Sequence, residues 1–102
     1  MVFMYKGILV VHRLLKINSG RYFCKGDNAF RLEDFPAGET IGKVAKSNGQ
    51  PLPKYPDELI NLSLLVNREF HKCAFNVAKT KQTKTYKEYE RKRNVFFQMR
   101  FR

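Results

Sequence analysis

Gly7-Ile8-Leu9-Val10-Val11-His12-Arg13-Leu14-Leu15-Lys16-Ile17-Asn18-Ser19-Gly20-Arg21-Tyr22-Phe23-Cys24-Lys25-Gly26 is the stretch that decides the fold class. Its apolar runs, residues 7–11 and 14–17, are rich in branched and aliphatic residues, and the second closes on Asn18-Ser19-Gly20, a turn signal. Arg21–Cys24 then reads as the returning strand of a hairpin. Gly20 supplies the positive φ such a loop demands, and Gly26 ends the strand. On this reading His12 lies on the first strand and Asp27 just past the second. Residues 28–39, with Glu33, Asp34, Pro36 and Gly38, read as a loop. Thr40–Lys46 reads as a third short strand ending at Ser47-Asn48-Gly49.

Beyond this β region, residues 1–49, the composition changes. Residues 50–56 hold Pro51, Pro53 and Pro56, which cannot donate to a ladder, and read as an extended linker. Pro56 suits a first helical position, and Asp57-Glu58 suit the positive end of the helix dipole. Leu59, Leu62, Val66, Phe70, Cys73 and Val77 recur at helical spacing, so residues 57–79 are predicted to form one amphipathic helix. His71 sits among them as a flank or core residue. Residues 84–94 are helix-permissive but polar, and residues 80–102 read as a basic tail. The expected fold is mainly β with a C-terminal helix, α+β overall.

A chain of 102 residues is the size of one small domain. Cys24 and Cys73 are too few and too far apart for a disulfide framework or a paired-ligand zinc site, and read as free thiols. No metal or cofactor is implied. No apolar run approaches the roughly 20 residues of a membrane span, and no secretory signal precedes the first strand. A cytoplasmic chain is the expectation. The net charge of +11 is concentrated at the end, where residues 79–102 carry nine Lys/Arg against Glu88 and Glu90. Tyr86, Tyr89, Phe96, Phe97 and Phe101 interleave with those bases. That combination suits phosphates with bases or headgroups stacked alongside, and a solvated terminal extension is the plainer reading.

Histidine near neutral pH can take a proton from a serine hydroxyl when a carboxylate fixes its tautomer. His12 and Asp27, brought side by side by the hairpin, are candidates for such a pair. The ordered succession Val11-His12-Arg13, Lys25-Gly26-Asp27-Asn28 and Ile41-Gly42-Lys43-Val44 resembles the C-terminal half of the signal peptidase and S24/S26 serine peptidase superfamily, over about residues 5–45. The resemblance implies a coiled β fold, with His12 as general base and Asp27 as the carboxylate that orients it. It also implies Lys25, Gly26 and Asn28 as the rest of the box, Gly42 as a strand glycine and Asp34 as a second acidic position.

The chain departs from that family at the nucleophile, a serine in a Ser-Met-x-Pro-like motif upstream of the histidine strand. None of the eleven residues before His12 is serine, and Ser19, Ser47 and Ser63 follow it. A base without a nucleophile forms no acyl-enzyme. The expectation is therefore a truncated or degenerate peptidase fragment, inactive alone. Its full-length form, with a membrane-associated setting open to it, would cut a peptide bond after small residues in an exported or modified precursor. An exposed sheet edge predicts a homodimer, formed through that edge or through the 57–78 helix. The alternative is a non-catalytic module that binds nucleic acid or an acidic surface through residues 79–102.

Overall fold

Two Xaa-Gly pairs shape the first part of the chain. In the computed structural model, which describes residues 1–47 and 49–100 apart from the side chains of Ser47, Met99 and Arg100, Lys6-Gly7 and Ser19-Gly20 all have positive φ. Both pairs thus close two-residue hairpins whose twist matches their strands. The first joins β1 (Val2–Tyr5) to β2 (Ile8–Val11), in register Tyr5↔Ile8 to Val2↔Val11. The second joins β3 (Arg13–Asn18) to β4 (Arg21–Lys25), in register Asn18↔Arg21 to Arg13↔Lys25. The predicted hairpin is therefore β3–β4, and His12 is not on a strand but between two of them.

β5 (Glu33–Pro36) pairs with β4, where the sequence reads as loop. A 3₁₀ turn (Ala37–Glu39) leads to β6 (Thr40–Gly42), which pairs with β1 across a bulge. The predicted strand over 40–46 thus stops at Gly42, and β7 (Lys46–Ser47) and β8 (Gln50–Pro51) form a small separate hairpin. Two antiparallel three-stranded sheets result, ordered β2-β1-β6 and β3-β4-β5. They share a core of Phe3, Cys24 and Phe35, with Tyr5, Val10, Leu14 and Tyr22 packed around it. Phe3 and Phe35 stack at 4.3 Å between ring centroids. Because side chains alternate, the other face of β1 and β2 turns Met4, Leu9 and Val11 outward, and all three are exposed.

The chain divides into two units, Met1–Leu52 and Pro53–Arg102. The second is helical: α1 (Asp57–Lys72), α2 (Val77–Lys81) and α3 (Lys84–Arg100). The single helix predicted over 57–79 is broken at 73–76. The Ala74 N–H donates to the His71 carbonyl and the Phe75 N–H to that of Phe70, with Ala74 at φ 53° and Phe75 at φ 62°. This is a Schellman ending, completed by the Phe70–Phe75 ring contact at 5.1 Å. Asn76 then caps α2, accepting from the Lys79 N–H at 3.1 Å, and Thr83 caps α3 through the Tyr86 N–H at 3.1 Å.

Most of the predicted basic tail is the helix α3; Phe101 and Arg102, like the Asn48 of the predicted turn, lie outside the described residues. Tyr86, Tyr89, Arg93 and Phe96 recur at spacings of three, four and three and are buried. Tyr55 meets Phe96 edge to face at 5.3 Å, and Lys92 pairs with Glu58 of α1. Burial, then the neighbouring Glu90 carboxylate, raises the pKa of Tyr86. The fold is α+β with a C-terminal helix, and among the described residues no helix is long and apolar enough to cross a membrane.

Candidate functional site

His12 is the corner at which the chain leaves one sheet for the other. Its backbone is pinned by the β1 ladder: the His12 N–H donates to the Met1 carbonyl at 3.2 Å, and the Met1 nitrogen donates back at 2.8 Å. The register Arg13↔Lys25 places His12 opposite Gly26. A Cβ on Gly26 would lie 3.0 Å from His12 Nε2 and 3.3 Å from Cδ2, so the ring occupies space that only glycine leaves open. The Phe3 ring edge backs the imidazole at 6.1 Å.

The carboxylate at the ring is that of Glu33. His12 Nδ1 lies 2.8 Å from Glu33 Oε1, with the imidazole 29% exposed and the carboxylate side chain 11%. Nδ1 and Glu33 Oε2 have no aligned hydrogen bond, so the contact is a close approach rather than a linear N–H···O bond. Glu33 reaches this position because β5 pairs Glu33 with Cys24 on the far side of β4.

Asp27, the carboxylate expected at His12, is held by the next residue instead. Arg13 Nε donates to Oδ1 at 2.9 Å and Nη2 to Oδ2 at 3.0 Å, a bidentate fork with both side chains about a quarter exposed. Lys25 is buried, 1% exposed, and its Nζ donates to the carbonyls of Gly26 at 3.0 Å and Ala29 at 2.9 Å. The Ala29 N–H closes on the Gly26 carbonyl at 3.0 Å. The Lys25–Asn28 box is thus a turn clasped twice, by its own lysine and by Arg13 from β3.

The remaining expected positions stand apart from the ring. Asn28 is exposed. Asp34 is exposed and pairs with Arg21 at 2.6 Å. Gly42 ends β6, where a Cβ would meet nothing. Sequence reasoning missed Glu33, whose signal was its place beside Asp34 in a run read as loop; a strand over 33–36 would have turned alternate residues to opposite faces.

Of the three serines, Ser47 has a side chain outside those described. Ser19 sits in the β3–β4 turn with its hydroxyl donating to Asn18, and Ser63 is buried within α1 of the helical unit. Cys24 is fully buried, and desolvation pushes its thiol from 9.0 up to about 11, so it carries no thiolate at neutral pH. Both cysteines are free. Among the described residues no three His, Cys, Asp or Glu side chains are placed to hold a metal ion.

No protein-family model, curated protein or solved structure matches this chain.

Proposed function

We propose that the β unit is the base-bearing part of a signal-peptidase-like serine peptidase and cleaves nothing alone. His12 is its general base and Glu33 the carboxylate that orients it. The serine is supplied by a polypeptide segment outside the residues described. The supporting observation is the closure of two motifs fourteen residues apart on one imidazole, with Gly26 leaving room for the ring and Glu33 2.8 Å from Nδ1. In this reading Asp27 is not the orienting acid: its fork to Arg13 holds the turn that holds Gly26. The substrate of the full-length form is a peptide bond after small residues in an exported or modified precursor peptide. Its β2 edge, with Ile8, Leu9 and Val11 exposed and no charge from Gly7 to Val11, offers a strand for self-pairing. Sedimentation at serial dilution that gave only monomer would exclude the homodimer.

The test begins with the DNA read in frame upstream of the Met1 codon, where a Ser-x-x-Pro motif followed by a Gly-Asp strand is expected. In the protein carrying that serine, His12→Ala abolishes cleavage of a small-residue peptide. Glu33→Gln lowers kcat by about 10²–10⁴-fold and displaces the pH profile. Asp27→Asn lowers stability and leaves the pH profile in place. Full activity of His12→Ala refutes the reading, and equal losses with the same displaced profile for Glu33→Gln and Asp27→Asn refute the division of labour.

A further inference from the structure

Between Glu69 and Glu88 the chain carries no carboxylate, yet it carries Lys72, Lys79, Lys81, Lys84 and Lys87. All five lysines are exposed, and Lys72 lies 3.7 Å from the Glu69 carboxylate. This stretch holds the Schellman ending of α1, where Ala74 and Phe75 take left-handed backbone conformations that non-glycine residues seldom adopt. The effect of that backbone is to leave Phe75 60% exposed, its ring resting on Phe70 and His71, with Val77 46% exposed two residues on. Single exposed apolar residues mean little. An aromatic and a valine held out on a strained turn, inside a run of lysines with no carboxylate between them, mean more.

We propose that this turn, residues 72–87, docks the helical unit on an anionic lipid surface. Phe75 and Val77 enter the boundary between headgroups and acyl chains, and the lysines hold the headgroup charges. The charge is complementary over the whole run, and the apolar tip is what a bilayer can accept. A nucleic acid fits less well. Tyr86, Tyr89 and Phe96, the aromatics expected to stack on bases, are buried in the helical unit. Past the α1 ending, the arginines that grip phosphates bidentately begin only at Arg91, beyond Glu88 and Glu90. Each lysine near a negative membrane surface strengthens binding about fivefold, within a Debye length of roughly 10 Å at 0.1 M salt.

The experiment uses the full chain with phosphatidylcholine vesicles, with and without 30% phosphatidylserine, at about 0.1 M salt. Sedimentation with the anionic vesicles only is expected. Binding should weaken by about 25-fold in Lys79→Gln/Lys81→Gln, two lysines at fivefold each. The chain contains no tryptophan, so Phe75→Trp places a single indole at the tip. Its emission should shift to the blue when anionic vesicles are added, and circular dichroism should show the same helix content as the parent. No binding to anionic vesicles, no blue shift, or tighter binding to a 30-nucleotide oligonucleotide than to the vesicles each overturns the proposal.

Discussion

Gly26→Ala tests the packing on which the site depends, and its sign is what matters. The added Cβ would lie 3.0 Å from His12 Nε2, 3.3 Å from Cδ2 and 3.5 Å from Cε1. Contacts between such atoms are comfortable at about 3.5 Å, so the ring must retreat by roughly 0.5 Å. It cannot retreat freely, because the Phe3 edge and the Glu33 carboxylate stand around it. Overpacking costs about 1–3 kcal/mol, and a value in the lower half, about 1.5 kcal/mol, applies to a ring 29% exposed. Against that, Gly26 does not use the left-handed region, so alanine gains about 0.5 kcal/mol by restricting the unfolded chain. The net expectation is a loss of about 1 kcal/mol. The assay is urea unfolding followed by the His12 ring protons in NMR, for the parent, Gly26→Ala, His12→Ala and the double variant. With the ring gone, Gly26→Ala should turn neutral or stabilising, a coupling of about 1.5 kcal/mol. A single variant more stable than the parent, with His12 resonances unmoved, would refute the close approach.

Two further outcomes follow from the backbone and from the buried thiol. Ala74→Gly should stabilise the helical unit by up to about 1 kcal/mol, because glycine pays no steric cost at φ 53°, measured as a rise in the urea midpoint; a fall would mean the αL residue carries no strain. Cys24 titrates near 9 when unfolded and about 11 when folded, so between those values only the unfolded chain releases the proton. Its contribution to stability is intact below pH 9 and falls by about 1.4 kcal/mol per pH unit toward pH 11. The slope difference between the parent and Cys24→Ala isolates it, and parallel slopes would contradict the burial.

How much of the fold could be read depended on whether each element advertised itself in hydrophobic pattern. The β3–β4 hairpin did, through Asn18-Ser19-Gly20. The β1–β2 hairpin rests on Lys6-Gly7, equally a two-residue turn, but its second strand runs into His12 and Arg13 without a break, so residues 7–17 read as runs around one turn rather than strands of two sheets. β5 was hidden because Glu33, Asp34 and Pro36 are poor strand formers and only Phe35 faces the core. α3 was hidden for a different reason. Its buried stripe is built from two tyrosines, an arginine and a phenylalanine, three of which read as polar although Arg93 lies against the Tyr89 ring at 5.5 Å. The break in the predicted helix was signalled only by Asn76, since Cys73 and Val77 keep the spacing while Val77 turns outward.

The motifs were legible as words before their parts could be assigned, and the structure separates two jobs within them. Val11-His12-Arg13 contributes one residue to each: His12 turns to Gly26 and Glu33, while Arg13 turns to Asp27. Lys25-Gly26-Asp27-Asn28 divides the same way, with Gly26 making room for the imidazole and Lys25 and Asp27 spending their charges on holding the turn. Spacing alone cannot tell these apart, because a histidine and an arginine adjacent in sequence present themselves equally to the first aspartate of a turn. What decides between them is valence and geometry. A carboxylate offered a five-donor guanidinium fork accepts two parallel bonds from it, whereas an imidazole offers one N–H to the same face. Once Asp27 is taken by the fork, the imidazole's carboxylate has to come from another strand, and β5 supplies it. The pairing of β5 with β4 is therefore what places Glu33 at the ring, and a substitution that unpairs residues 33–36 should shift the His12 ring resonances in NMR without touching either motif.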